Sequence, residues 1–401
     1  MEFVVAGYGS RGDVEPCVAV GRELLRRGHH VRMAVPPNML DFVESAGVAA
    51  VAYGPDSHEV EGFRRNLSMI QNPFTKVREV TEHVTQVWAE KGTTLTALAA
   101  GADLLVAGIT EQGLAANVAE YYGIPLAALH FYPVRVLELG WLDWRITKEA
   151  ENVQRRALGL PDVTEPSTRS LEIQAYDELC LPELTPEWVG SDGRRPFVGT
   201  LTLELPTTAD DEVLSWMAAG TPPIYFGFGS MRATSPADTI GMISAACAQL
   251  GERALIWSGA NDFTHIPHAD HVKIVDVVGQ AAVFPGCRAI VHHGGAGTTA
   301  AGLRAGIPTL ILFAVWLDQP LWAAAIEQLK VGTARGFSAT TQESLVADLS
   351  SILAPQYLTR AREVAAQMTT PAESLASAAD LLEDAARQGR SGGLPPPAEL
   401  S

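Results

Sequence analysis

The chain has 401 residues, of which 47% are hydrophobic and 19% are charged, and its formal net charge is −17 at pH 7. This length is too great for one ordinary core and fits two α/β domains, and the composition excludes a disordered protein. The acidic balance, with no Lys/Arg-rich stretch interleaved with aromatic residues, argues against nucleic acid as a partner.

The N-terminus and the cysteines predict a cytoplasmic protein. The chain runs from Glu2 into a short apolar strand and then charged residues, unlike a signal peptide, and no apolar run approaches the roughly 18 residues of a membrane span. The 4 cysteines are scattered, with no CxxC pair and no His partners at metal-ligand spacing. We therefore expect reduced thiols and no metal site.

The first half of the chain alternates short apolar runs with helical stretches. Its predicted strands cover residues 3–9, 31–35, 103–109 and 124–131. A helix is predicted from Val14 to Arg27, after the turn SRGD. The pattern predicts a doubly wound domain over residues 1–203, with less regular stretches at 56–90 and 131–150.

Residues 204–222, punctuated by Pro, Gly and Thr, are predicted to be a linker. The rhythm of strand and helix then restarts and predicts a second parallel domain over 223–371. Its predicted strands cover residues 224–230, 254–259, 272–277, 289–293 and 309–313. Residues 372–388 are predicted to be a C-terminal helix able to cross back to the first domain, and 389–401 a disordered tail.

The most informative segment is AIVHHGGAGTTAAGLRAGIP, residues 289–308. A strand is predicted to end at His293, a turn passes through Gly295 and Gly297, and a helix opens near Thr298. Glycines let backbone N–H groups approach a ligand, and a helix N-terminus carries partial positive charge. The segment predicts a phosphate site, and the alternative is a tight turn in which the histidine only packs.

The turn after the first strand, GYGSRGD, contains glycines at the wrong spacing for a dinucleotide fingerprint. Its Asp13 carboxylate is also unfavourable for an anion at the helix N-terminus, so a nicotinamide cofactor is not expected. Two interpretations of Asp13 stay open. It is either the N-cap of a helix beginning at Val14 or a general base at the carboxyl end of the first strand.

The segment WLDQPLW, residues 316–322, places an acid and an amide between an apolar strand and a helix. Asp318 and Gln319 can accept from and donate to neighbouring hydroxyl groups, which suits a polyol. The alternative for Asp318 is a helix N-cap.

These motifs resemble a known family. SRGD, GFGS, HHGGAGT and DQ have the order and spacing found in GT-B glycosyltransferases of the family containing glycopeptide-antibiotic and macrolide glycosyltransferases, and the resemblance covers essentially the whole chain. The opening SRGDVEP with VRMAVPPN is most similar to the branch that glycosylates mycobacterial glycopeptidolipids. The resemblance implies an α/β GT-B fold, in which two Rossmann-like domains face each other across a cleft.

The resemblance also implies a role for each matching residue. Asp13 would be the base, Val277 would meet the nucleobase, and Asp318 with Gln319 would hold the donor sugar. The residues implied at the donor diphosphate are Ser10, Ser230, His293, Gly295, Gly297 and Thr298. Gly279, where relatives often carry a larger residue, and Ala314, in place of a common proline, depart from the pattern and bear on the preference for donor base and sugar.

The expected reaction is an inverting, metal-independent transfer of a sugar or deoxysugar from a dTDP- or UDP-sugar to a hydroxyl of a hydrophobic lipid or lipopeptide, such as a glycopeptidolipid. The nucleotide sugar is a substrate, and no cofactor is expected. The acceptor is expected to contact Phe131, Tyr132 and Trp141, and peripheral membrane contact stays open. Alternatives are glycosylation of a polyketide or peptide natural product, a sugar-nucleotide epimerase, an oxidoreductase and a non-catalytic binding protein.

Overall fold

A computed structural model describes most of the chain. The described residues are 1–59, 73–133, 141–162, 171–182, 193–205, 207, 209–229, 231, 235–263, 265–314 and 318–391, with the side chains of 73–78, 141–146 and 391 left out. The chain divides into two compact units. The first unit comprises Met1–Ala175, Pro186–Leu203 and Pro371–Ser401, and the second comprises Tyr176–Thr185 and Glu204–Thr370.

The first unit is a parallel sheet with helices. Its described strands are β1 (Glu2–Ala6), β2 (His30–Val35), β3 (Ala49–Ala52), β4 (Leu104–Ala107), β5 (Leu126–His130) and β6 (Leu171–Gln174), in the order β3-β2-β1-β4-β5-β6. Its described helices are α1 (Arg11–Arg26), α2 (Leu40–Ser45), α3 (Pro73–Ala99), α4 (Gln112–Tyr122) and α5 (Trp141–Ala157).

The second unit repeats this architecture. Its described strands are β7 (Ile224–Gly227), β8 (Ala254–Trp257), β9 (Val272–Val275), β10 (Ala289–His292), β11 (Thr309–Phe313) and β12 (Gly332–Gly336), in the order β12-β11-β10-β7-β8-β9. Its described helices are α6 (Asp210–Ala218), α7 (Pro236–Leu250), α8 (Gln280–Val283), α9 (Ala296–Ala305), α10 (Gln319–Gln328), α11 (Gln342–Ile352) and α12 (Pro355–Ala365).

The predicted α/β class with two parallel sheets is confirmed. Central strands are buried on both faces, as their uninterrupted apolar sequences require. All residues of β4 and β7 are buried, and the pairings of β1 with β2 and of β7 with β10 are parallel.

The strand order locates the point in each sheet where the direction of winding reverses. The chain moves outward from β1 to β3 and then returns to place β4 on the other side of β1. In the second unit, β10 lies beside β7 in the same way. Ligands of open α/β sheets bind at the carboxyl ends of strands at such a reversal. The sequence places SRGD after β1 and the Gly-rich turn after β10.

The start of α1 and the two stretches at 56–90 and 131–150 were predicted wrongly. Helix α1 begins at Arg11, earlier than the predicted Val14, because Ser10 is its N-cap. The stretches predicted as less regular contain much of α3 and α5. Helix α3 contains many β-branched residues, which weakened its helical signal.

The C-terminal helix α13 (Pro371–Ser391) belongs to the first unit. The Arg27 guanidinium bonds the Asp380 and Glu383 carboxylates at 2.6 and 3.1 Å, and Arg390 pairs with Asp103. Among the described residues, no helix has the length and apolar character needed to cross a bilayer.

Candidate functional site

The Gly-rich turn joins β10 to α9. Gly294 has a φ of 92°, a left-handed conformation that glycine adopts without strain, and Gly295 is the N-cap of α9. The helix begins at Ala296, so the prediction that it opens near Thr298 was two residues late. Gly297 therefore lies in the first turn, which contains no acidic side chain. The first N–H groups of a helix have no partner within it, and such groups are suited to bind an anion.

Two histidines lie directly before the turn, His292 fully buried and His293 half-buried. The Gly294 N–H donates to His292 Nδ1 at 3.1 Å, whereas His292 Nε2 and His293 Nδ1 lack a hydrogen-bond partner among the described residues. Burial lowers the pKa of His293 to about 4, although a contact with the Gly227 backbone opposes part of this effect. Burial and the neighbouring His293 also lower the pKa of His292 well below its usual range. Both rings are thus neutral at pH 7.

The depressed pKa of His293 predicts acid sensitivity. The unfolded chain binds this proton below about pH 6.5 and the folded chain only near pH 4. Protons therefore favour unfolding, and the free energy of unfolding should fall by on the order of 3 kcal/mol from this ring between those limits. Urea unfolding across this range should show a shallower pH dependence for His293→Gln than for the wild type. An equal pH dependence of the free energy of unfolding in the two proteins would show that His293 is not the source of the acid sensitivity.

The loop after β7 contacts the same histidine. Gly229 has a φ of 56°, and a Cβ atom built on it would lie 2.5 Å from His293 Cε1. A Cβ atom on Gly295 would lie 2.7 Å from Nε2 of this ring. The imidazole is therefore packed between two glycines, and the carboxyl ends of β7 and β10 meet there. Ser230, the predicted phosphate contact in this loop, lies outside the described residues.

Asp318 and Gln319 lie after β11, beside the Gly-rich turn. A Cβ atom on Gly294 would be 3.3 Å from Gln319 Cβ. Asp318 occupies the N-cap position of α10 without a capping hydrogen bond, and instead its Oδ2 accepts from the Trp322 indole Nε1 at 2.9 Å. Trp322 is buried and packs edge-on against Tyr176. The Ala314 N–H donates to Gln319 Oε1 at 2.9 Å.

Val277 and Thr298 are linked through a residue that sequence reasoning missed. Val277 is 49% exposed, which is unusual for a large hydrophobic side chain, and it follows β9. Three residues later, Gln280 Nε2 donates to Thr298 Oγ1 at 3.2 Å. The loop with the exposed valine is thereby fastened to the first turn of α9. No motif in the sequence indicated Gln280.

In the first unit, the turn after β1 holds Asp13 near its own backbone. The Ser10 N–H and Oγ–H both donate to Asp13 Oδ2, at 2.8 and 2.9 Å. Asp13 is the third residue of α1, so the interpretation of Asp13 as an N-cap was wrong, and its side chain instead reaches back to Ser10. Gly9 has a φ of 136°, and a Cβ atom there would overlap the carboxylate at 2.4 Å from Oδ2. Glycine at this position makes room for the acid.

The predicted acceptor contacts lie after β5 and at the start of α5. Phe131 is buried at 5% exposure, and Tyr132 is half-buried. The Trp141 side chain lies outside the described residues. Within the described part of the chain, no group of three or more His, Cys, Asp or Glu residues is arranged to hold a metal ion. All four cysteines are buried and free.

Comparison with known proteins matches both halves of the chain. Residues 3–138 match the glycosyltransferase family 28 N-terminal domain, and residues 239–383 match the erythromycin biosynthesis protein CIII-like C-terminal domain. The chain is 60% identical to an uncharacterized glycosyltransferase of Mycobacterium tuberculosis, covering 97% of this chain and 100% of that protein. It is 32% identical to glycosyltransferase GtfE of Amycolatopsis orientalis, covering 95% and 97% respectively.

Solved structures share the fold. The calicheamicin glycosyltransferase CalG4 superposes with a TM-score of 0.71 at 18% identity, covering 96% of this chain and 98% of that one. Glycosyltransferase VinC, solved in complex with dTDP, gives a TM-score of 0.69 at 18% identity, with 97% and 100% coverage.

Proposed function

We propose a function from one premise, that this chain belongs to the GT-B glycosyltransferase family that includes glycopeptide-antibiotic and macrolide glycosyltransferases. The chain moves a sugar from a nucleoside diphosphate donor to a hydroxyl group of an acceptor. The observation that carries this proposal is the Gly-rich turn of the second unit. It combines a reversal point in the sheet, the N-terminus of α9 and a neutral His293.

The donor diphosphate is proposed to bind the N–H groups at Gly295 and Gly297, with His293 and Thr298 beside them. As the bond from sugar to diphosphate breaks, negative charge grows on the leaving group. Helix N-terminal N–H groups stabilise such charge without reorganisation. Val277 would cover the nucleobase, and Asp318 with Gln319 would bind sugar hydroxyls. The Trp322 indole holds the Asp318 carboxylate in one orientation.

The transfer is proposed to invert the anomeric configuration. The acceptor hydroxyl attacks the anomeric carbon from the face opposite the diphosphate, a new C–O bond forms, and the bond to the diphosphate breaks. Asp13 accepts the hydroxyl proton, so the oxygen is a better nucleophile in the transition state. We propose that the transfer needs no metal ion, so EDTA should leave turnover unchanged. A loss restored by Mg²⁺ would contradict metal independence.

The nucleotide of the donor and the class of acceptor are proposed from similar proteins. VinC was solved with dTDP, which supports a dTDP-sugar as the donor, and a UDP-sugar is the alternative. The resemblance to the glycopeptidolipid branch favours a lipid or lipopeptide acceptor, whereas the likeness to the calicheamicin glycosyltransferase CalG4 favours another kind of natural product. We propose that the acceptor is a lipopeptide and that it contacts Phe131, Tyr132 and Trp141. We also propose that the enzyme is cytoplasmic. Nucleotide sugars can be screened by thermal shift, because a true donor raises apparent stability. If only polar sugars or proteins serve as acceptors, the proposal of a lipopeptide acceptor is refuted.

Glycine variants test the donor site. A Cβ atom on Gly297 meets no protein atom within 4 Å. In a helix the Cα–Cβ bond tilts toward the helix N-terminus, where the diphosphate is proposed to lie. Gly297→Val should therefore weaken binding of dTDP and UDP at least tenfold, about 1.4 kcal/mol, without unfolding the chain. Gly295→Val should weaken binding as much by displacing His293.

Gly241→Val is the matched control, since this glycine in α7 also has open space around it. Its calorimetric affinity should equal that of the wild type. Unchanged affinity in folded Gly297→Val would place the donor elsewhere. Conversion of the donor without acceptor would indicate an epimerase, and tight acceptor binding that ignores nucleotide sugar would indicate a binding protein.

A further inference from the structure

The buried Asp210 carboxylate, at the start of α6, holds a distant loop. Its Oδ1 accepts from the Gly279 N–H at 2.8 Å and from Thr207 Oγ, and its Oδ2 accepts from the Thr207 N–H at 2.8 Å. Burial raises the pKa of this carboxyl group, but these hydrogen bonds outweigh the effect, and the net shift is downward. The group is therefore an ionised acceptor that receives three hydrogen bonds from Thr207 and Gly279.

Gly279 fits this carboxylate closely. It is the N-cap of α8, and a Cβ atom built on it would lie 2.8 Å from Asp210 Oδ2. Any larger residue would displace the acid. Position 279 has no side chain, which departs from the family pattern in the sequence. The Asp210 carboxylate occupies the space that a side chain there would fill.

The loop held in this way contributes two candidate donor contacts. Val277 precedes Gly279 and exposes its side chain, and Gln280 follows it and bonds Thr298 at the Gly-rich turn. Lys273 of β9 also pairs with Glu212 of α6, although this pair is largely exposed and stabilises little. The Asp210 carboxylate adds a buried polar connection between α6 and the loop to the apolar packing of Val213 and Met217 against Val278.

We propose that Asp210 is a positioning residue for the nucleoside part of the donor, acting through the Gly279 backbone on Val277 and Gln280. The inference rests on the proposed function, because it needs the donor to lie at the Gly-rich turn. Asp210 does not touch the donor itself. Its loss frees the loop, so that recognition of the nucleoside weakens while the diphosphate cradle stays intact.

The test compares three probes on the full chain: dTDP, UDP and inorganic pyrophosphate. Asp210→Ala should weaken dTDP and UDP about tenfold, because nucleotide binding must then also order the loop, and leave pyrophosphate unchanged. Turnover at saturating donor should stay near that of the wild type, so the defect appears in KM. Asp211→Ala, at an exposed neighbouring acid, is the matched control and should change nothing.

Gly279→Ala leaves Asp210 in place and tests the same contact if Asp210→Ala destabilises the fold, and the two changes together complete a double-mutant cycle. Gly279→Ala should weaken dTDP binding by itself, and its additional effect should be smaller in the Asp210→Ala background, because the carboxylate that it meets is gone. Additive effects, or equal losses for pyrophosphate and dTDP, would overturn the inference. If Gly297→Val also leaves all three probes unaffected, the donor site itself is wrong. If Gly297→Val weakens them and Asp210→Ala does not, only the inference fails.

Discussion

Replacing Asp13 by Asn is expected to lower turnover by roughly 10² to 10⁴, the usual effect of removing a positioned general base. The amide keeps nearly the same shape and can still accept a hydrogen bond from the Ser10 N–H. Thermal stability should therefore barely change. Affinity for dTDP should match that of the wild type, because the proposed diphosphate contacts at Gly295, Gly297 and His293 belong to the other unit and the amide can keep the bond to Ser10.

Two further variants separate catalysis from structure at this position. Asp13→Ala loses the bonds to Ser10 as well as the base, which should add about 1 kcal/mol of destabilisation to the kinetic defect. Glu15→Gln, at another acid of α1, is the control and should keep most of the turnover. Near-normal turnover of Asp13→Asn would leave Asp13 as a residue that only secures the start of α1.

The strands could be predicted from the sequence where they are central and apolar. Nine predicted runs coincide with described strands, but several continue too far at their carboxyl ends. The run 224–230 was predicted as a strand, whereas β7 ends at Gly227. Such overruns arise because the loop beyond the ladder is itself apolar and rich in glycine. These same residues form the candidate site.

The strands that were missed lie at sheet edges. β3, β6 and β12 have the sequences AAVA, LEIQ and GTARG, and each ends a sheet in the described strand order. An edge strand is partly exposed and short, so it needs no apolar run. Its place is determined by pairing with a neighbour, which periodicity does not show.

Candidate site residues could be named from the sequence, but the residues that hold them in place could not. Motif spacing indicated His293, Asp318 and Asp13. Gln280 lies outside the quoted motifs, and Trp322 lies within WLDQPLW but was given no role, although both hold predicted residues in place. Their roles depend on contacts between elements, and such contacts leave no periodic signal in one sequence.

A buried ion pair lies beneath the turn that carries Asp13. Lys91 Nζ is 2.6 Å from Glu111 Oε1, and the two side chains are 6% and 1% exposed. The Lys91 ammonium also lies 3.8 Å from the centre of the Tyr8 ring. Thr110 Oγ1 donates to the Tyr8 carbonyl at 3.0 Å. Burial, and then the Glu111 charge, raise the pKa of Tyr8. The pair therefore supports the backbone just before Gly9.

Replacing Lys91 by Met should destabilise the first unit by about 3–5 kcal/mol, because it leaves the Glu111 carboxylate buried without a compensating charge. This corresponds to a fall of roughly 6–20 °C in Tm for a unit of this size. Lys91→Met combined with Glu111→Gln should recover much of the loss, since the neutral amide can still bond the Tyr53 hydroxyl. Lys148→Met, at a less buried lysine of the same unit, is the control and should stay within about 0.5 kcal/mol of the wild type. A double variant less stable than Lys91→Met would show that the buried charge is not the source of the instability.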